Sequence, residues 1–261
     1  MSNIFFDIGT HTAQELFVLT GKRSFILYHY FLWWSDWFFR VIKSFFLRNR
    51  NYSYGVGRFK VSPVHVSFEE HLKLISLFIK GTNFIKDIKI FSIDPNFYLT
   101  PSYLKDLPRN MDITYLPIVL PFYSESKCCD ILPFYITPDG LSSSLSPVKN
   151  SNKLFIPMIT FRCLLNYLSD LGLLTKDSNF YLRLNCEGAE FSVIDDALRF
   201  LNTSPVILGS INDVSKKFGS ESLDSLHNLI SHSGSSFIYF KGTDPSTWLS
   251  SVSIFSSMVN K

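Results

Sequence analysis

Short apolar runs alternate with segments of helical periodicity along this chain, and this alternation constrains the fold more than any other sequence feature. We predict six strands and one hairpin arm: Asn3–Ile8, Ile88–Ile93, Ile113–Val119, Phe180–Leu184, Val206–Ile211 and Phe237–Phe240, with Leu132–Thr137 as the arm. Between them, apolar residues recur at helical spacing in 12–19, 160–171 and 191–201. This order indicates an α/β fold of the Rossmann-like type, with a mostly parallel central sheet and helices on both faces.

The length of 261 residues suffices for one substantial core. We find no repeat and no linker, and therefore predict a single domain over residues 1–261 with an aromatic-rich helical insertion at about 22–85. Within the insertion, Phe25–Leu47 is interrupted by polar and charged residues, whereas a membrane span needs about 20 consecutive apolar residues. Its apolar residues would share one helical face. That face could contact a membrane surface or cover an apolar acceptor, or it could simply pack on the domain body or a second copy.

Charge and cysteine content narrow the class of protein. The net charge of +3 lacks the strong, clustered basic bias of nucleic-acid binders, so no nucleic-acid partner is expected. The four cysteines show neither metal spacing nor a disulfide framework: Cys128, Cys129, Cys163 and Cys186. We expect free, mostly buried thiols in a reducing compartment. A cytoplasmic location is expected because an apolar strand begins within three residues of Met1, with no leader pattern before it. Peripheral membrane contact through Phe25–Leu47 stays open.

The first predicted strand runs into a glycine turn. Its end reads Asp7-Ile8-Gly9-Thr10-His11. Glycine lets the backbone approach a ligand closely, and the N-terminus of the helix that follows offers unpaired N–H groups. Asp7 could either order this loop or meet the cationic amino group of a ligand.

A second acid, Asp94, directly follows the second predicted strand and precedes Pro95 and Asn96. In nucleoside-binding α/β folds, an acid at this point accepts hydrogen bonds from ribose hydroxyls. The alternative is that Asp-Pro merely opens a turn.

A third motif follows Phe180–Leu184 and reads Arg183-Leu184-Asn185-Cys186-Glu187-Gly188-Ala189-Glu190. It resembles the Lys-Ile-Asp-Val-Glu-Gly-Ala-Glu pattern of the FkbM-like S-adenosylmethionine-dependent methyltransferases. Segments 7–10, 93–96 and 142–145 resemble three further motifs of that family in the same order. The resemblance covers about residues 3–212, apart from the insertion.

The resemblance implies methyl transfer from S-adenosylmethionine, as cofactor, to a hydroxyl of a sugar, glycan or other small metabolite. It implies cofactor contacts at the ends of the first, second and fourth strands: Asp7, Gly9, Thr10, Asp94, Asn96 and Asn185. Glu187 is the candidate general base, with Asn185 and His11 as further candidate catalytic residues. Acids at a helix start can equally stabilise the helix dipole, an interpretation that we prefer for Glu190 and weigh evenly for Glu187.

Three positions depart from the family pattern: Ala13 replaces a glycine, Asp94 a glutamate and Asn185 an aspartate. Asn185 is the most serious departure, because an amide cannot act as a general base, although it can still hydrogen-bond a hydroxyl or an ammonium group. It also removes a carboxylate of the kind that Mg²⁺ prefers, and we expect no metal. Two alternatives stay open: a degenerate module that binds or scaffolds without chemistry, and a membrane-peripheral enzyme acting on a lipid-linked glycan.

Overall fold

The computed structural model describes residues 2–10, 16, 55–56, 59–60, 88–97, 100–105, 107, 109, 111–121, 128–136, 145, 147, 149, 151–186, 188–209, 211, 214, 218–239 and 258. The chain divides into two compact units. The first holds Met1–Gln14 and Lys86–Tyr239, and the second holds Glu15–Ile85 and Phe240–Lys261. Of the second unit, the structure describes Leu16, Met258 and a strand pair, β2 (Gly55–Val56) with β3 (Phe59–Lys60).

The described part of the first unit contains eight strands and four helices. The strands are β1 (Asn3–Ile8), β4 (Ile88–Ile93), β5 (Asp112–Leu116), β6 (Cys129–Ile136), β7 (Asn152–Ile159), β8 (Asn179–Leu184), β9 (Val206–Gly209) and β10 (Ser236–Tyr239). The helices are α1 (Thr100–Leu104), α2 (Phe161–Asp170), α3 (Glu190–Phe200) and α4 (Ser220–His232).

Six strands form one sheet in the order β10-β9-β8-β1-β4-β5, and every neighbouring pair is parallel. Counted along the chain, these strands stand in the order 3-2-1-4-5-6. The direction of winding therefore reverses between β1 and β8. In register, Ile8 lies opposite Ile93 on β4 and Leu184 on β8, so the carboxyl ends of the three central strands are level.

One face of the sheet packs against α2 and α3. Alternate residues of the central strands enter this core, because side chains of a strand point to opposite faces in turn. Phe6 lies at its centre, stacked on Phe91 with ring centroids 5.1 Å apart and in edge contact with Phe161 of α2 at 5.1 Å. Helix α2 begins where Thr160 accepts a hydrogen bond from the Cys163 N–H, and its apolar residues recur at helical spacing. The opposite sheet face is also buried at Phe5, but the second helix layer expected there lies outside the described residues.

Between β5 and α2, strands β6 and β7 form an antiparallel hairpin, with Leu132 opposite Ile156. Its inner face carries a small core of four buried residues, Val119, Phe134, Ile156 and Met158. Met158, near the end of β7, bridges Val119, so the base of the hairpin lies next to the segment that follows β5. The outer face of the hairpin leaves Ile131 64% and Phe155 66% exposed.

The α/β class and the mostly parallel sheet are confirmed. All six predicted sheet strands are found with shifts of a few residues, of which the largest shortens the third to Asp112–Leu116. Five elements escaped prediction: β2, β3, β7, α1 and α4. Strand β7 contains Pro157, which argues against a strand, and α4 is largely polar, with buried Leu226 and Ile230 only four residues apart. The predicted helix 12–19 lies outside the described residues apart from Leu16, which is helical and buried.

The expectation of free thiols was wrong for two cysteines. Cys128, directly before β6, and Cys163, in the first turn of α2, form a disulfide that closes the base of the hairpin. Cys129 and Cys186 are free. A 35-residue separation gives no spacing signature, so the pairing follows from the hairpin, which the sequence reading recognised only as one arm. No helix within the described ranges is long and apolar enough to cross a membrane; Phe25–Leu47 falls outside them.

Candidate ligand-binding site

The reversal of strand order between β1 and β8 defines where a ligand can enter this sheet. Loops that follow the two strands leave in opposite directions, and open parallel sheets bind ligands in the crevice that results. We call Gly9 and Thr10 the glycine loop, and Asn185, Cys186, Gly188 and Ala189 the fourth-strand loop. Both lie at the carboxyl edge, together with Asp94 at the end of β4.

A buried ion pair underlies the glycine loop. Asp7 and Arg183 lie opposite each other on β1 and β8, and both side chains are 0% exposed. The Arg183 Nη1 atom lies 3.2 Å from Asp7 Oδ1, and it donates a hydrogen bond of 2.6 Å to the carbonyl oxygen of Gly9. Charges buried this deeply need partners. Of the two roles proposed for Asp7, this geometry favours ordering of the loop.

The loop is fixed from the β4 side as well. Thr10 donates a 2.7 Å hydrogen bond to the Asp7 carbonyl and accepts one of 2.8 Å from the hydroxyl of Ser92 on β4. Ser92 is fully buried and Thr10 is 1% exposed. The Thr10 hydroxyl already bridges two strands, which restricts the ligand contact predicted for its side chain.

Gly9 lies against the fourth-strand loop. Its φ of +73° is a left-handed conformation that favours glycine. A Cβ atom at this position would lie 2.1 Å from the backbone oxygen of Asn185, far inside contact distance. Asn185 also donates its N–H to the carbonyl of Ile8. The structure therefore brings these two predicted site residues together, and glycine is required there because two backbones touch.

Asp94 and Asn96 lie at the end of β4 and are both nearly buried. Asp94 Oδ1 accepts a 2.8 Å hydrogen bond from the Asn96 N–H, and the Tyr115 hydroxyl donates one of 2.7 Å to the Asp94 carbonyl. Desolvation raises the pKa of Tyr115 and the nearby charge of Asp94 raises it further, so the phenol stays protonated and acts as a donor. Asp94 thus both opens the Asp-Pro turn and lies at the carboxyl edge of the sheet, so the two interpretations of this residue are compatible.

The fourth-strand loop is closed by the carboxylate of Glu190, which is 1% exposed. Its Oε1 accepts from the Cys186 N–H at 3.1 Å and its Oε2 from the Gly188 N–H at 2.6 Å. Glu190 is the first residue of α3, and this capping agrees with the structural role preferred for it. Burial raises the pKa of the Cys186 thiol, and the charge of Glu190 adds to the effect, which keeps this sulfur protonated.

Two predicted catalytic residues, Glu187 and His11, lie outside the described residues. Each neighbours a described loop residue in the chain, Gly188 and Thr10 respectively. Helix α3 begins at Glu190, and the predicted role of Glu187 stays a prediction.

The sequence analysis assigned no role to three residues that support the site: Arg183, Ser92 and Tyr115. A signal existed for the first, because opposite charges stand in two otherwise apolar strands, and a parallel register can pair them. No three acidic, histidine or cysteine side chains gather into a metal-binding group in the part of the chain that the structure describes.

Five of the described backbone donors of these loops are used within the chain. Gly9 and Thr10 donate to the carbonyl of Ile93, Asn185 to Ile8, and Cys186 and Gly188 to Glu190. A phosphate needs such N–H groups free, whereas the chemical groups clustered at this edge are carboxylates and carbonyls. The described part of the site thus suits a neutral or cationic ligand better than a phosphorylated one.

The fold and site together define a parallel α/β protein with a candidate ligand-binding edge at its strand reversal. The chain matches no protein-family model, no curated protein and no solved structure.

Proposed function

We propose that this chain is an S-adenosylmethionine-dependent methyltransferase that acts on a hydroxyl group of a sugar, glycan or other small metabolite. The observation that carries the proposal is the convergence of the glycine loop, Asp94 and the fourth-strand loop at one edge, where five of the described loop N–H groups are bonded within the chain. The strand order 3-2-1-4-5-6 is that of doubly wound nucleotide-binding folds, which supports a Rossmann-like assignment. Resemblance of three ordered motifs to the FkbM-like family supports the choice of cofactor.

The residues present fit this cofactor at two points. Asp94 stands where a carboxylate accepts hydrogen bonds from a ribose diol. A sulfonium carries positive charge, and the carboxylates of Asp94 and Glu190 with the loop carbonyls make the edge electronegative. When bound, S-adenosylmethionine supplies an electrophilic methyl group. The same electronegative edge disfavours a dinucleotide, whose pyrophosphate would need free N–H donors.

The chain's own contribution is to hold and orient the acceptor. Alignment of two reactants and exclusion of water supply much of the acceleration of an in-line displacement. Asn185 can hydrogen-bond the acceptor hydroxyl without taking its proton, and Glu187, two residues further along the same loop, is the base that we propose for that proton.

Isothermal titration calorimetry with S-adenosylmethionine, its demethylated product and NAD tests the cofactor. We expect the first two to bind, and Asp94→Asn to weaken binding about 10- to 100-fold through loss of a charged hydrogen bond. Asn can still accept from the Asn96 N–H, so the turn is kept. Asp112→Asn is the matched control, because Asp112 is exposed at the start of β5, at the opposite edge of the sheet. Binding of NAD alone, or equal affinities in both variants, would contradict the proposal.

A degenerate binding or scaffolding module is the second candidate, favoured by Asn185 in place of the family's aspartate. It predicts cofactor binding with no methyl transfer to any acceptor in a screen of sugars and glycans. Turnover that is lost in Glu187→Gln but retained in Asp112→Asn would decide for the enzyme.

A further inference from the structure

Three of the four cysteines meet at the base of the β6–β7 hairpin, and none of the three is among the residues assigned to the site. Cys128 and Cys163 form the disulfide, and the free thiol of Cys129 lies with its sulfur 3.8 Å from the sulfur of Cys128. Cys128 and Cys129 are exposed, and Cys163 is half-buried. A free thiol at near-contact distance from an accessible disulfide is the arrangement that thiol–disulfide exchange requires.

We propose that Cys129 is a nucleophilic site that exchanges with the Cys128–Cys163 disulfide. The Cys129 thiol loses its proton to solvent, and the thiolate sulfur bonds to Cys128 Sγ. The Cys128–Cys163 bond breaks, and its electron pair leaves with Cys163 Sγ, which then takes up a proton. One disulfide and one thiol are present before and after, so the step needs no oxidant and no reductant.

The surrounding backbone keeps the leaving sulfur close and so makes the exchange reversible. Thr160 donates its N–H to the carbonyl of Cys128 at 3.0 Å, and the Cys163 N–H donates to Thr160 Oγ1 at 3.3 Å. The first bond holds the two chain segments together without the disulfide, and the second fixes Cys163 at the start of α2. The product ring contains the peptide bond between Cys128 and Cys129, where Cys129 begins β6 and pairs with Ile159. We therefore expect the exchanged form to be the minor one.

Exchange has a structural consequence for the hairpin. The disulfide closes a loop that contains both hairpin strands, and such a closed loop stabilises the fold by restricting the unfolded chain. In the exchanged form, the hairpin is joined to α2 only through the chain and its non-covalent contacts. The site thus responds to thiolate formation at Cys129.

The test uses the purified full-length chain without reductant, incubated at pH 8 and then labelled with N-ethylmaleimide in denaturant at pH 6.5. Peptide mass spectrometry should find molecules labelled at Cys163 that also carry a Cys128–Cys129 disulfide. Their yield should be at least about tenfold higher than the yield of Cys163 labelling in Cys129→Ser, and unchanged in Cys186→Ser, which removes the other free thiol. Their rate of formation should rise about tenfold per pH unit while the thiolate is the minor species.

Simple reduction is distinguishable, because it labels Cys128 and Cys163 in the same molecule. Exchange between two molecules is distinguishable as well, since its yield rises with protein concentration. The proposal is overturned if Cys163 is labelled equally with and without Cys129, if the yield follows concentration, or if the Cys128–Cys163 disulfide is absent from the purified chain. None of these outcomes bears on cofactor binding, which the calorimetry tests separately.

Discussion

At the carboxyl edge of the sheet, buried polar atoms join the loops, whereas the β6–β7 hairpin rests on four apolar side chains and one disulfide. The sheet edge buries Asp7, Arg183 and Glu190 almost completely, and each has partners at fixed geometry. The hairpin instead exposes much of its outer face, including Phe155. Polar networks have strict geometry and leave few alternative arrangements, so the sheet edge is suited to hold a ligand site. The hairpin is the part that can change its covalent connections.

The largest expected effect is at the ion pair. Arg183→Met should lower the free energy of unfolding by about 3–5 kcal/mol, because it removes the countercharge beside a buried carboxylate. Asp7→Asn combined with Arg183→Met should recover part of that loss. Arg199→Met is the matched control: its partner Asp195 lies four residues earlier on α3, Arg199 is exposed, and the loss should be below about 1 kcal/mol.

Urea unfolding followed by far-ultraviolet circular dichroism measures all three variants. Equal losses for Arg183→Met and Arg199→Met would mean that the polar interior of the sheet edge does not stabilise the fold.

The hairpin offers a matched pair of phenylalanines. Phe134→Ala should lower the free energy of unfolding by about 3 kcal/mol, since the side chain is 6% exposed at the centre of the small core. Phe155→Ala should lower it by less than about 1 kcal/mol, the value expected for the exposed contact with Lys153, whose Nζ lies 5.0 Å from the ring centroid. The same urea titration applies. A large loss at Phe155 would mean that the outer face of the hairpin is covered in solution.

Two glycines separate backbone strain from contact at the site. Gly9 and Gly172 have φ values of +73° and +69°, but a Cβ at Gly172 would meet nothing within 4 Å. Gly172→Ala therefore measures the left-handed conformation alone. Gly9→Ala should cost about 1–3 kcal/mol more, because it also forces the glycine loop off the Asn185 carbonyl.

Cofactor titration should show the same asymmetry, with binding weakened in Gly9→Ala and unchanged in Gly172→Ala. Equal destabilisation of the two variants would show that the loops separate freely.

The same two regions show what sequence can and cannot predict. Strands β1, β4 and β8 were predicted within one residue, because each is a short, nearly unbroken apolar run, and two of the three are followed at once by a turn signal at Gly9 or Asp94. Because these strands are parallel, their carboxyl ends share one edge, and this alone predicts that the glycine loop, Asp94 and Asn185 lie together. Strand β7 was missed because Pro157 interrupts its pattern and because pairing with β6 depends on chain contacts distant in sequence.

Residue roles were harder to predict than residue positions. Nothing in the local sequence shows that Arg183 reaches the Gly9 carbonyl or that Ser92 bridges to Thr10, because both contacts depend on the register of two strands far apart in the chain. Glu190 was predicted well because capping is local: its partners are two and four residues away. The disulfide was not predicted either, because its two sulfurs are 35 residues apart and meet only at the base of the folded hairpin.

The smallest expected effect lies where the two regions join. Asp196 on α3 accepts the Arg162 N–H at the start of α2, one residue before Cys163, and its side chain is buried. Desolvation raises the pKa of Asp196 above its ordinary value of 3.8, although the bonds and the charge of Arg162 oppose the shift.

A carboxyl whose folded pKa is raised stabilises the fold most below pH 3.8, and that contribution is lost as pH rises through the folded pKa. The difference in unfolding free energy between wild type and Asp196→Asn should therefore fall with rising pH from about 3.5 and then level off, as measured by urea titrations in steps up to pH 6.5. Arg162→Gln should move the fall to higher pH, because a countercharge is gone. A difference that grows with pH would mean that Asp196 is held ionised at this junction. The start of α2 would then belong with the polar sheet edge rather than with the hairpin.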